Sequence, residues 1–259
     1  MDDSFVVVAI PLLLFFGVLM FIDIGYRIGK RALPRSPGTS DQTTVTVDAA
    51  VYGLLGLTLA FTFGGASDRL AVRRAQIVQE ANAIGTAYLR VDLLPDSSQL
   101  PIRGLFRDYL EARIDVYDKF LDRAASKAAL DRAGELQRKI WSASVAAARN
   151  APDTTASLLV IPALNDMFDI ATTRTMAAFI HAPSIILALL VMLSLLAAVL
   201  AGSEMASQPQ RNGLQMVLFA LAISCTVYVV LDLEFPRAGL INLSSMDQVI
   251  MQLRQTMAR

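Results

Sequence analysis

The stretch AAVYGLLGLTLAFTFGGA at 49–66, followed directly by SDRLAVRRAQIVQE at 67–80, decides the architecture of this chain. No charge falls within 49–66, and Asp68, Arg69, Arg73 and Arg74 come next with no proline to end the helix. The segment reads as a membrane span whose helix continues into water as far as residue 94. At about 1.5 Å per residue, a helix over 49–94 is a rod of roughly 69 Å, about twice the hydrocarbon thickness of a bilayer. Half of it has to work outside the lipid, so the bilayer element is mechanically joined to a water-exposed domain.

Composition agrees with a membrane protein that also has a soluble part. Apolar residues make up 54% of the 259 residues and charged residues 18%, with formal net charge zero, and the charges gather between 67 and 182. Three further runs, 5–22, 183–201 and 214–231, carry no charge. With 49–66 they make four spans, each near the short end of what crosses a core of about 30 Å. The first is read as a retained span and not as a signal peptide. Its N-terminus, MDDS, is acidic where a signal peptide is basic, and no small-x-small cleavage site precedes YRIGKR at 26–31.

The organisation expected is an all-α membrane protein with four transmembrane helices and a helical extramembrane bundle inserted between the second and third spans. Residues 1–66 form a first transmembrane hairpin, 67–182 the extramembrane domain, 183–231 a second hairpin and 232–259 a C-terminal tail. Loop composition joins the first hairpin over 25–48, with ALPRSPGTSD at 32–41, and the second hairpin turns at 202–212. Asp48 is placed to N-cap the second span, and Pro183 stands in the first turn of the third.

The middle domain looks entirely helical. Phe106, Leu110, Ile114, Tyr117 and Leu121 recur at three- and four-residue steps, as do Ala133, Leu136, Ile140 and Ala143. Pro95, Pro101 and NAPD at 150–153 are expected to separate the segments, and no run alternates at period two. Its charges are interspersed without a single-sign block, which argues against nucleic acid as a partner. RDYLEARID at 107–115 reads as a solvated helix face with ion pairs three and four positions apart.

Catalytic and metal constellations are sparse. His181 is the one histidine and Cys225 the one cysteine, the latter inside the fourth span, where a thiol acts as a small hydrophobe. A zinc site or Cys/His nucleophile is therefore not expected, no phosphate-binding glycine loop or serine elbow occurs, and the chain is read as neither an enzyme nor a cofactor binder. His181 lies one turn before the third span and reads as interfacial, with pH sensing as the alternative. Asp232 and Glu234 are a candidate cation site, weighed against capping or anchoring, because two carboxylates fall short of a calcium shell.

None of the four apolar cores holds the ionisable residue that ion-coupled transporters keep at membrane depth. If ions cross, they pass an apolar constriction that gates by dewetting, and several copies are needed to enclose it. The second span offers Gly53, Leu57, Phe61 and Gly64 close to one face. The competing reading is that Gly53, Gly56, Gly64 and Gly65 simply let helices pack closely.

The segments LGLTLAFTFGGASDRL at 55–70 and VRRAQIVQEANAIGTAYLR at 72–90 resemble the bestrophin-like domain family of bacterial membrane proteins, and DLEFPRAG at 232–239 resembles that family's second landmark. The similarity spans nearly the whole chain. A looser likeness joins the second span to bestrophins themselves, pentameric anion channels whose second helices line a narrow apolar neck. By that resemblance the neck falls on Gly53, Leu57 and Phe61, with Arg69 just beyond it. Arg69, Arg73, Arg74, Glu80, Asn82 and Arg90 are then pore-mouth or family-motif residues. The acidic cluster of the animal calcium clasp has no counterpart, so calcium gating is not carried over, and Gly53 would widen the neck.

What these readings imply is a homo-oligomeric, pentameric ion channel in a bacterial inner membrane, its partners being the bilayer, further copies of itself and small ions, chloride among them. The alternative is a non-conducting sensor or scaffold that uses its helical domain. Orientation stays open. Arg27, Lys30, Arg31 and Arg35 lean the first loop toward the cytoplasm, whereas Arg69, Arg73 and Arg74 argue for the middle domain on that side.

Overall fold

Helix-forming residues run in long stretches between the proline and glycine clusters, and the chain folds as helices alone among the residues described. The computed structural model describes residues 3–32, 42–120, 122–152, 154–208, 212–241 and 244–257. In chain order these form α1 (Asp3–Ala32), α2 (Gln42–Arg90), a single 3-10 turn (Val91–Leu93), α3 (Asp96–Asp118), α4 (Arg123–Arg149), α5 (Thr155–Phe179), α6 (Ser184–Met205), α7 (Gly213–Glu234) and α8 (Ser244–Met257). Four segments are long and apolar enough to cross a membrane: Phe5–Arg31, Thr46–Leu93, Thr155–Met205 and Gly213–Glu234. Within the third, the uncharged run 183–201 belongs to α6, which Pro183 separates from α5.

Several boundaries move from their sequence-based positions. Nothing in QTTVTVD at 42–48 stops a helix, so α2 begins at Gln42 and Asp48 lies inside it instead of capping it. Both α1 and α2 extend into the expected first loop; Arg35 and the rest of 33–41 lie outside the described residues, as does Leu121. Pro95 caps α3, but Pro101 sits inside that helix, where its ring costs one backbone hydrogen bond without ending it. The tail contains α8.

The chain divides into two compact units, residues 1–70 with 181–241 and residues 71–180 with 242–259. In the first unit α1 packs most closely on α6 and then on α7. Val7, Leu14, Val18 and Ile22 form one face of α1 and meet Leu190, Leu193, Ala197, Met216, Ala220, Ile223 and Val227. Lipid is as apolar as these side chains, so close backbone approach and dispersion have to hold the helices together. The approach is made at Gly25 and Gly29 of α1 and Gly202 of α6. A Cβ at Gly25 would lie 2.8 Å from the carbonyl carbon of Val199, one at Gly202 2.8 Å from the Tyr26 nitrogen, and one at Gly29 2.7 Å from the Ala206 Cβ.

In the second unit α3 packs on α4, α4 on α5, and α8 on α3. Phe106, Tyr109 and Leu110 of α3, Leu136 and Ile140 of α4, Leu164 and Met167 of α5, and Ile77 and Ile84 of α2 are buried. Each such large side chain, moved out of water, stabilises the unit by roughly 1.5–3 kcal/mol. Asp122 N-caps α4 by accepting from the Ala124 and Ala125 nitrogens at 3.1 and 3.0 Å.

Two outcomes follow from this packing. Gly202→Ala forces α1 and α6 apart and is expected to cost about 1–3 kcal/mol or more, read as lost thermal stability in detergent, whereas Gly53→Ala, with no atom within 4 Å, leaves the isolated chain unaffected. Burial pushes the Tyr109 phenol up to about 12, so the unfolded chain gives up that proton first, near pH 10. Stability is therefore retained below about pH 10 and falls between about 10 and 12, and unfolding titrations of Tyr109→Phe should show a shallower alkaline loss.

Candidate functional site

The membrane half of α2 has two unlike faces. Leu55 and Ala66 are buried, and Tyr52 and Leu59 pack against the same core. At about 100° per residue, Gly53, Leu57 and Gly64 point the opposite way. Leu57 is 53% exposed, and an added Cβ at Gly53, Gly56 or Gly64 would meet nothing within 4 Å. Glycine packing within the chain is thus the property of Gly25, Gly29 and Gly202, while the α2 glycines face away from the rest of their own chain. Spacing in the sequence leaves the α2 glycines open to close packing or to pore lining, and within this chain the close approach falls instead on the GxxxG pair Gly25 and Gly29 and on Gly202. Phe61 is 72% exposed and stands at the edge between this open face and a cavity.

That cavity has a volume of about 360 Å³ and is lined by Val6 at the start of α1, Thr58, Phe61, Thr62 and Gly65 of α2, Ile186, Leu187 and Leu190 at the start of α6, and Val230 and Leu231 near the end of α7. The Thr58 and Thr62 hydroxyls donate to the carbonyls of Leu54 and Thr58, each at 2.8 Å. Their donor protons are committed to their own helix, so the wall offers no free hydroxyl donor.

Arg69, His181 and Glu234 form the polar end of the cavity. Arg69 grips the Glu234 carboxylate as a fork, with Nε 3.1 Å from Oε1 and Nη2 2.6 Å from Oε2. The Ala182 N–H donates to Oε1 at 2.9 Å, and His181 Nδ1 lies 3.5 Å from the same oxygen. The His181 ring stacks on Phe235, centroids 4.6 Å apart. Glu234 is 7% exposed and Arg69 30%, a geometry in which two parallel charge-assisted bonds exceed an ordinary surface pair in strength. Asp232 does something else: its carboxylate accepts from the Ile241 N–H, 3.1 Å from Oδ2, and packs against Gly239, where a Cβ would come 2.7 Å from its Cγ.

Asp232 and Glu234, the candidate cation pair, take separate partners within the chain, one carboxylate accepting from the Ile241 N–H beyond PRAG and the other from Arg69 of α2 and the Ala182 N–H ahead of α6. Among the described residues no group of three or more His, Cys, Asp or Glu side chains is placed to hold a metal. Arg69, expected just beyond a neck, turns toward α7 and away from the open face.

The remaining motif residues are distributed through the second unit. Arg73 donates to the Ala177 and Ile180 carbonyls at 3.1 and 2.8 Å, where a cation favours the C-terminal end of α5. Arg90 donates to the Leu159 carbonyl at 2.7 Å; Arg74 and Asn82 are exposed. Glu80 is fully buried and shared between Arg113 Nε at 2.5 Å and Arg174 Nη1 at 2.6 Å, while the Arg174 guanidinium lies 3.6 Å from the Tyr117 ring centroid. Burial works against the Arg113 charge, but Glu80 beside it outweighs burial and holds the guanidinium protonated. The solvated-face reading of 107–115 fails at Arg113, which is 2% exposed. Its place one turn after Leu110 and one before Tyr117, on the apolar face, was the signal available in the sequence.

Glu234→Ala leaves the fork of Arg69 and the Ala182 N–H without their acceptor. The expected loss is about 2–3 kcal/mol, and Arg69→Lys should reproduce part of it, because an ammonium cannot make the parallel pair; thermal unfolding of the purified variants reads both.

The geometry gives the two sequence landmarks a common purpose, since Arg69 of the first meets Glu234 of the second. No curated protein and no solved structure matches the chain. The family model of the Bestrophin-like domain matches residues 16–246, nearly the full length, and the chain belongs to that family.

Proposed function

We propose that the protein is a homo-oligomeric ion channel in which the open face of α2 lines the axis. The observation that carries this reading is the unpartnered ridge of small residues Gly56, Ala60 and Gly64, spaced four apart beside Leu57 on the side of α2 away from its own subunit. In lipid, such small-xxx-small ridges favour helix association by letting backbones approach and adding dispersion contacts. The same face offers no charged side chain over 49–66, so a ring of Leu57 side chains makes an apolar constriction that passes ions when wetted and blocks them when dry. Membership in the bestrophin-like family supports a ring of such helices, with five copies and anions as the working assignment. Phe61 is a secondary neck residue here, because it also borders the cavity.

Reconstituted protein tests the reading directly. Chloride and potassium flux from liposomes should be selective for one ion and should rise with Leu57→Ala, while cross-linking gives an unchanged subunit number. Flux that is absent from an intact oligomer, or indifferent to both Leu57→Ala and Phe61→Ala, favours the sensor or scaffold function instead.

A further inference from the structure

The cavity beside α2 has a built polar end, an apolar body and a position that together specify an occupant. Its lining comes from the start of α1, the C-terminal part of the uncharged run of α2, the start of α6 and the end of α7, which the alternation of four spans assigns to one side of the bilayer. At about 360 Å³ it falls within the range of small-molecule sites, about 300–1,000 Å³. Phe61, largely exposed, stands at its open side. Leu187, Leu190, Val230 and the methyl sides of Thr58 and Thr62 offer no donor to a polar solute, so the body suits a hydrocarbon chain.

The polar end is not symmetrical in charge. Glu234 is surrounded by donors and faces inward, 7% exposed, whereas Arg69 commits Nε and Nη2 to it and leaves Nη1 without a hydrogen-bond partner among the described residues. Nη1 lies toward Gly65, a cavity-lining position with no side chain to shield it; a Cβ there would be 3.3 Å away. The partly exposed His181 flanks the same end. An anionic oxygen ligand is therefore matched by the outer edge of the guanidinium, at the depth where the uncharged stretches of α2 and α6 end and headgroups begin.

We propose that this cavity is a phospholipid site, holding one acyl chain against Leu187 and Val230 while Arg69 Nη1–H donates to the lipid phosphate. The site belongs to the membrane unit of a single chain and does not depend on conduction, so it stands or falls separately from the channel reading. A lipid seated there braces the start of α6 against α2, the helix that carries Arg69.

The test uses the full-length protein in dodecyl maltoside micelles, free of other phospholipid, with added phosphatidylglycerol carrying a diazirine in mid-chain. Photolabelled peptides should concentrate on 186–190 and 230–231, above the lipid-facing Leu12 and Leu13 of α1, and Leu187→Trp and Val6→Trp, which fill the cavity from different helices, should each lower that labelling about fivefold. Arg69→Gln should raise the lipid concentration needed about tenfold. Glu234→Gln, which weakens the same internal pair yet keeps the guanidinium, should change it far less. Labelling as strong on Leu12 and Leu13, or unmoved by both filling variants, overturns the site. Equal losses in Arg69→Gln and Glu234→Gln overturn the headgroup assignment, as does competition by oleate without competition by phosphatidylglycerol.

Discussion

The membrane unit hangs on one carboxylate. Glu234 ends α7, and it draws to itself the guanidinium of Arg69 from α2 and the backbone N–H of Ala182 at the entry to α6. A carboxylate placed at this depth is costly unless its lone pairs are matched, and here a fork, an amide and a nearby imidazole match them. Because its donors come from sequence positions more than fifty residues away, satisfying Glu234 ties the end of α7 and the entry to α6 to the middle of α2 at once. The turn after α7 is tightened by Asp232, two residues earlier, so DLEFPRAG serves as one anchor.

The faces of α2 acquire their difference from this anchor and from α1. Helix α1 binds α6 through glycines that admit backbone against backbone, which leaves α6 and α7 no need of the α2 glycines. Helix α2 attaches through Leu55, Ala66 and Arg69, and its small-residue ridge is left open as a consequence. An open apolar ridge costs little in lipid, where hydrocarbon solvates it, and the benefit of covering it comes from dispersion and close approach. This is the physical ground on which assembly around α2 is proposed.

The second unit is held together differently. Its helices bury apolar stripes, and inside them sits a glutamate shared by two arginines against a tyrosine face. Removing one member of such a set leaves an uncompensated buried charge at a cost of about 3–5 kcal/mol, so Glu80 is a structural residue although its segment carries a family landmark.

Four spans, the helical class and the continuity of α2 past the membrane were readable from the sequence, because uncharged length and absence of breakers act locally along the chain. Family membership was readable for the same reason, in contiguous segments. The partners of Arg69, Glu80 and Asp232 were not, since each pairs across helices and a charged residue in one dimension looks alike whether solvated or buried. Which glycines pack was likewise undecidable from spacing: Gly25 and Gly202 gain their meaning only when α1 and α6 touch, and Gly53, Gly56 and Gly64 lose theirs only when nothing of their own chain does. Sequence alone determined what each helix is. Tertiary structure decided what each face meets, because contact is a property of pairs of helices and not of either one.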